Sequence, residues 1–202
     1  MNTESLVALL IKNKILRTPL IIEAFLDVDR KDFVPDHLQK EAYEDKPLPL
    51  SQGSTISQPS TVAFMIELLQ PQVNDKILDV GSGSGYTTAL LSEIVTETGL
   101  VFGVERSEDV LELGRKNLKK YGFPHAEIKK AGKVLGLEEE APFTRILVSA
   151  EAHELPKELV SQLTLNGCMV IPVKNSVLKV KKIGPNALEI EEYPGFAFVP
   201  LK

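Results

Sequence analysis

Three alternating glycines, Gly81-Ser82-Gly83-Ser84-Gly85, follow an apolar run, Ile77-Leu78-Asp79-Val80, that carries one acid. About 20 residues further on, a second apolar run, Leu100–Val104, ends in Glu105. Glycine lets the backbone turn sharply and lets a ligand come close to it. A helix that starts just after such a turn offers free N–H groups. A carboxylate at the end of the neighbouring strand can accept hydrogen bonds from both hydroxyls of a ribose. Together these features describe a nucleoside-cofactor site in an open α/β sheet. A dinucleotide fingerprint has the spacing G-x-G-x-x-G; the spacing G-x-G-x-G favours a cofactor without a pyrophosphate, such as S-adenosylmethionine.

A second chemical segment, Ser51-Gln-Gly-Ser-Thr-Ile-Ser-Gln-Pro59, packs hydroxyls, amides and a glycine ahead of an expected helix. Two readings are open. Ser57 or Gln58 caps the helix, since Pro59 suits a first helical turn, or the segment contacts a substrate. The stretch Asp45–Ser54 has prolines and a glycine but no period, and it is long for a plain connector.

The elements that would position these groups follow from periodicity. Apolar spacing predicts helices over 4–13, 19–29, 59–69, 86–95, 107–121 and 156–164. Thr18-Pro19 gives the second of them a capping hydroxyl and a first residue that needs no N–H. Strands are predicted over 76–80, 100–105, 126–131, 145–150 and 168–173. This alternation implies α/β architecture, a mostly parallel sheet with helices on both faces. The tail, 176–202, reads as antiparallel strands closing one edge, with Val177, Lys179 and Lys181 outward, Leu178, Val180 and Ile183 inward, and Phe196–Pro200 last.

Composition sets the frame. The chain has 202 residues, 43% of them hydrophobic and 25% charged, as in an ordinary soluble fold. Its net charge of −5 disfavours non-specific binding to nucleic acid or acidic membranes. The single cysteine, Cys168, excludes an internal disulfide and reads as a buried strand residue. No histidine pair has metal-ligand spacing, so no metal is expected. His37, His125 and His153 read as surface residues, although His153 beside Glu151 or Glu154 could form an acid/base pair. The basic runs at 115–120 and 129–130 read as solvated faces. No apolar run is long enough for a bilayer and no secretory leader is apparent, so a cytoplasmic protein is the simplest expectation.

Several segments then fall in a specific order: Arg30-Lys-Asp-Phe-Val-Pro35, Ala42-Tyr-Glu-Asp45, Leu48-Pro-Leu50, Gly53-Ser-Thr-Ile-Ser-Gln-Pro59, and Asp79–Gly85. Val104-Glu105-Arg106, Ala141-Pro-Phe143, Pro156, Gln162-Leu163, Gly167, Ile171-Pro-Val173 and Phe198-Val-Pro-Leu201 continue the series. From Arg30 onward the chain resembles the protein-L-isoaspartate O-methyltransferase family, and Thr-Ile-Ser-Gln-Pro is the most specific match. The resemblance implies a Rossmann-like methyltransferase fold with a seven-stranded sheet. Residues 1–60 would form an N-terminal helical extension and substrate loop, and residues 61–202 the donor-binding core. It also implies transfer of a methyl group from S-adenosylmethionine to the α-carboxyl of L-isoaspartyl residues in damaged peptides and proteins. The family's active-site serine falls on Ser57. Its cofactor contacts fall on Thr55, Ile56, Ser57, Asp79, Gly81, Ser82, Gly83, Gly85, Glu105 and Gly132.

The sequence departs from the family at three places. After the third strand the family usually has Gly-Asp-Gly; here Ala131-Gly132-Lys133 stands there, and a register shifted by one residue does not restore the acid. An Asp often found after Ala-Pro-Phe is Thr144. The small residues after the fourth strand become Ser149-Ala-Glu-Ala152. If Glu151 faced the pocket it would repel a carboxylate and select a cationic acceptor; otherwise it points to solvent. Three functions remain open at this level: an isoaspartyl carboxyl methyltransferase, the same transfer to another acceptor, and cofactor binding without turnover.

Overall fold

The structure is a computed structural model that describes residues 1–51 and 53–201; Gln52, within the expected substrate loop, and Lys202 lie outside the described residues. Helices α1 (Thr3–Lys12) and α2 (Pro19–Asp27) open the chain. Two 3-10 turns, Arg30–Phe33 and Asp36–Glu41, lead to a small antiparallel pair, β1 (Leu48–Pro49) and β2 (Thr55–Ile56). Then come α3 (Pro59–Leu69), β3 (Lys76–Val80), α4 (Tyr86–Val95), β4 (Leu100–Glu105), α5 (Glu108–Lys119) and β5 (Ala126–Lys130). The remainder is β6 (Phe143–Val148), α6 (Lys157–Ser161), β7 (Leu163–Val173), β8 (Ser176–Gly184) and β9 (Ala187–Pro194).

Seven strands form one sheet in the order β5-β4-β3-β6-β7-β8-β9. The first five run parallel, and β8 and β9 are antiparallel. The chain leaves β3 toward β4 on one side and returns through β6 on the other. The order therefore reverses at β3, and a crevice opens beyond the carboxyl ends of the strands. This is the Rossmann-like α/β fold expected from the sequence.

Strand alternation divides the core between two faces. Ile77, Val101, Leu147 and Val170 point to the face covered by α3, α4 and α5, where α1 and α2 also pack through Leu6, Leu10, Ile21 and Phe25. Leu78, Val80, Val104, Ile146 and Met169 point to the other face, which is covered by Leu137 and by Leu159 of α6. Among the described residues no helix is long and apolar enough to cross a membrane.

The differences from the sequence reading have local causes. The helix expected over 156–164 ends at Ser161, and β7 already begins at Leu163. Between them the buried Gln162 side chain accepts from Leu137 N at 2.8 Å and donates to the Leu135 carbonyl at 2.9 Å. The tail holds two long strands, but 196–200 is not one of them. Gly195, with φ +98°, ends the β9 hairpin arm. Beyond it Phe196 stacks on Phe64 at 5.1 Å, and only Pro200 makes an isolated parallel bridge, to Glu151. The face assignment in β8 also changes: Val177 is buried and Ile183 is half exposed. β8 has core on both faces along its first half, so alternation there carries no signal.

Thr18 does not cap α2 with its own hydroxyl. The buried Glu67 carboxylate of α3 instead holds the two residues ahead of the helix, accepting from Arg17 N at 2.7 Å, Thr18 N at 2.8 Å and Thr18 Oγ1 at 2.9 Å. Glu67→Ala leaves those donors without partners. It is expected to lower the unfolding free energy by about 3 kcal/mol, read from urea midpoints.

Candidate functional site

A cleft of about 920 Å³ lies over the carboxyl ends of β3, β4, β5 and β6. That volume is at the upper end for small-molecule sites. The floor is the glycine turn between β3 and α4. Gly81, Gly83 and Gly85 have φ of +78°, +56° and +86°, which side chains rarely tolerate. Gly81 N and Ser82 N both donate to the Val104 carbonyl, at 2.9 and 3.1 Å, which ties the turn to β4.

Each sequence-predicted residue has a definite place. Thr55, Ile56, Ser57, Gly81, Ser82, Gly83, Glu105 and Gly132 all line the cleft. Gly85 and Asp79 do not. A Cβ on Gly85 would sit 2.9 Å from the Gly114 carbonyl of α5, so the vacant space there belongs to helix packing and not to a ligand. Asp79 is fully buried behind the turn. Its Oδ2 accepts from Thr87 Oγ1 at 2.6 Å and Thr88 Oγ1 at 2.7 Å, anchoring the first turn of α4, while Oδ1 has no partner among the described residues.

Burial pushes the Asp79 carboxyl up to about 6, against the two threonine bonds that lower it and with a small push from Glu105. A folded-state value above the unfolded one means the native protein holds this proton more tightly. The contribution to stability is therefore present below pH 4, is lost as pH rises toward 6, and is flat above. Asp79→Asn should remove that slope. Relative to the wild type, the variant should gain about 2–3 kcal/mol between pH 4 and pH 7 in paired melts; parallel curves would contradict the assignment.

Glu105 ends β4 with its carboxylate fixed by the backbone. Oε2 accepts from Gly83 N at 3.1 Å, and Oε1 from Arg106 N at 2.8 Å and Ser107 N at 2.9 Å. Oε2 keeps acceptor capacity for a further donor, whereas Oε1 already accepts two. Two cleft residues, Ser82 and Ser107, have buried hydroxyls with no partner among the described residues. Ser107 is the N-terminal flanking residue of α5, yet its side chain makes no capping bond. A turn that approaches a ligand through backbone, orphaned hydroxyls beside it and a part-satisfied carboxylate fit the methionine, amino and ribose groups of S-adenosylmethionine.

The substrate segment supplies the facing wall. Pro59 starts α3 as expected, but neither Ser57 nor Gln58 caps it with a side chain. Ser60 N is instead bonded to Asp45 Oδ1 at 2.8 Å, and Gln58 Nε2 donates to Ser60 Oγ at 2.7 Å. The helix end is served from elsewhere, and Ser57 remains on the cleft wall.

Glu151 is turned away from this wall. Its backbone is stitched to Val199 and Leu201, and its Oε2 faces Asn175 N at 3.4 Å. It is not among the residues that line the cleft, and the expectation that it faces the acceptor is not met. His153 is exposed at the rim, and among the described residues no hydrogen bond joins it to Glu151 or Glu154. His125 is half-buried at the surface: its Nε2 lies 3.0 Å from the Ser92 carbonyl and its ring packs edge-on against Phe123. Thr144 exchanges bonds with the Lys76 backbone at 3.0 and 3.1 Å and joins β6 to β3. Cys168 is buried in β7, and burial raises its thiol.

Three supporting residues escaped the sequence reading. Gly114 sits in mid-helix, and a Cβ there would stand 2.7 Å from the Gly83 carbonyl. An isolated glycine inside an amphipathic helical pattern is the signal that marks such a close approach. Asn117, one turn on, donates to the Ser84 carbonyl at 3.1 Å. Arg30 is buried and donates from Nη2 to the Ser57 carbonyl at 3.1 Å. Gly114→Ala is expected to displace the glycine turn and weaken binding of S-adenosylhomocysteine by about tenfold in calorimetry, because neither backbone can rotate out of the way.

The sequence profile described as protein-L-isoaspartate(D-aspartate) O-methyltransferase (PCMT) matches residues 1–202. A protein-L-isoaspartate O-methyltransferase of Methanopyrus kandleri is 41% identical over 191 residues, covering 92% of this chain and 84% of that one. One from Fervidobacterium nodosum is 40% identical over 186 residues, covering 90% and 93%. Among solved structures, a Plasmodium falciparum protein-L-isoaspartate O-methyltransferase in complex with S-adenosyl-L-homocysteine aligns with a TM-score of 0.88 at 27% identity. That alignment covers 100% of this chain and 99% of that one.

Proposed function

The chain belongs to the protein-L-isoaspartate(D-aspartate) O-methyltransferase family, and we propose from that premise that Ser57, the glycine turn and Glu105 divide its reaction between them. The protein is an S-adenosylmethionine-dependent carboxyl methyltransferase acting on the α-carboxyl of L-isoaspartyl residues. The observation that carries the assignment of roles is the convergence of Ser57 and the turn at 81–83 on one cleft.

A carboxylate is already ionised at neutral pH, so the acceptor needs no general base. S-adenosylmethionine supplies a methyl on a sulfonium, a leaving group that needs no acid. What this chain must add is alignment, which can account for a large part of the rate. The Ser57 hydroxyl donates to one acceptor oxygen and turns the other toward the cleft floor. The backbone at Gly81–Gly83 and the Ser82 hydroxyl hold the methionine end of the donor. Glu105 accepts from the ribose hydroxyls, and its bond to Gly83 N keeps ribose site and turn in fixed relation. Thr55 and Ile56 close the donor from the substrate side. Ala131-Gly132-Lys133 passes the adenine end without the family's acid, and recognition there falls to the backbone.

In this reading residues 1–60 carry the acceptor side and residues 61–202 the donor side. Its partners are isoaspartyl-containing peptides and proteins, and we place the protein in the cytoplasm. The test is transfer of labelled methyl from S-adenosylmethionine to an isoaspartyl peptide and its aspartyl twin. Labelling of the first alone is expected; equal labelling of both, or of neither, contradicts the reading.

A further inference from the structure

Arg30 is 1% exposed, and none of its bonds is to an acid. Nη1 donates to the Ala42 carbonyl, and Nη2 to the carbonyls of Lys46 at 3.3 Å and Ser57 at 3.1 Å. Its Nε is buried with no partner among the described residues. Among the described residues it joins no ion pair; Asp45 acts on it only through space, with its carboxylate bonded to Ser60 N. A buried cation normally comes with a counter-ion, because desolvation is costly, and a buried orphan donor calls for an explanation.

The position of the charge supplies one. Ser57 is bonded to Arg30 through its carbonyl and stands on the cleft wall where the acceptor carboxylate is to be held. Tyr86, a second wall residue, is buried close enough to feel the guanidinium. The cation thus stands one residue behind the place where an anion arrives, and among the described residues no acid is in contact with it, Asp45 offsetting it only from a distance.

We propose that Arg30 is a positioning residue for the acceptor: its bond to the Ser57 carbonyl fixes the peptide plane that aims the Ser57 hydroxyl, and its charge, which no acid contacts, makes that position favour a carboxylate. The inference rests on the role given to Ser57 above. A guanidinium suits both tasks, since its planar fork can bond several carbonyls at once while keeping its charge. The three carbonyls orient it without cancelling it. The acceptor's carboxylate then acts as the counter-ion, through Ser57 and not by contact. An acceptor whose carboxyl is replaced by a neutral amide loses this attraction and becomes a weak competitor.

The test compares Arg30→Met, Arg30→Lys and Ser57→Ala with the wild type, using an isoaspartyl peptide and S-adenosylmethionine. Peptide KM, kcat and the Kd of S-adenosylhomocysteine are measured for each. Arg30→Met is expected to raise peptide KM by about tenfold and to lower kcat, with the Kd of S-adenosylhomocysteine unchanged within about twofold. Arg30→Lys should recover most of the KM, because the charge returns, but not kcat, because the fork does not. A purely structural role would weaken acceptor and donor together and show no such split. If Ser57→Ala leaves transfer unchanged, the role of Ser57 itself fails. If Ser57→Ala is impaired while both Arg30 variants keep wild-type KM and kcat, the role of Ser57 stands and this proposal is wrong.

Should the Arg30 variants not fold, the wild-type protein decides. With S-adenosylhomocysteine bound, the Arg30 Nε–H resonance should move on adding the isoaspartyl peptide and not on adding its aspartyl twin. Arg145, whose Nε donates to the Leu69 and Gln70 carbonyls, serves as the unmoved reference. A bound isoaspartyl peptide with an unmoved Arg30 signal overturns the proposal.

Discussion

Ser57→Ala should lower kcat/KM for an isoaspartyl peptide by about 100-fold while S-adenosylhomocysteine binds within about twofold of wild type. The reasoning is geometric. Neither reactant needs activation, so loss of the hydroxyl removes orientation and little else. The helix that follows does not depend on it, since Ser60 N is held by Asp45 at 2.8 Å. The Ser57 carbonyl still receives Arg30. Thermal stability should therefore be nearly unchanged, and the loss should fall on the acceptor kinetics. A drop in stability matching the drop in activity would point to a capping role instead.

Glu105→Gln is expected to give the second large effect, a loss of about 100-fold in affinity for S-adenosylmethionine and its product. The substitution keeps shape and removes one acceptor oxygen. In the wild type both oxygens are engaged, by Gly83 N, Arg106 N and Ser107 N, at 3.1, 2.8 and 2.9 Å. An amide must turn its NH₂ either toward a backbone N–H or toward the ribose. Charge-assisted bonds are also about twice as strong as neutral ones, and two lost at about 1.5 kcal/mol each give the stated factor. Calorimetry with S-adenosylhomocysteine reads this directly, and the peptide KM, extrapolated to saturating donor, should not move.

The donor half of the site was legible because its constraints are local. A strand, three alternating glycines and an acid at the end of the next strand are close in sequence and are held together by simple sheet pairing, Asp79 opposite Gly103 and Val80 opposite Val104. The supporting shell was not legible because it is built from long-range contacts. Gly114 touches the Gly83 carbonyl only once α5 has packed, and nothing local distinguishes Asn117 from a solvated helix residue. Asp79 shows the limit within a motif. It lies in the right segment, yet strand alternation turns it inward, where it anchors Thr87 and Thr88. Gly85 is similar, with helix α5 occupying the space assigned to a ligand. Thr18 reads locally as a cap, but its hydroxyl and N–H are taken up by Glu67, 49 residues away. Glu151 was ambiguous for the same reason: its orientation depends on the tail crossing at Val199–Leu201.

The central claim is that Ser57 and the turn at 81–83 serve one methyl donor and one acceptor carboxylate in the same cleft. Crystals grown with S-adenosylhomocysteine and an isoaspartyl peptide test it most directly. The peptide's free α-carboxylate should accept a hydrogen bond from the Ser57 hydroxyl with its other oxygen facing the sulfur, while the ribose hydroxyls rest on Glu105. A nucleoside bound away from Glu105, or a peptide carboxylate held by groups other than Ser57, would contradict the account.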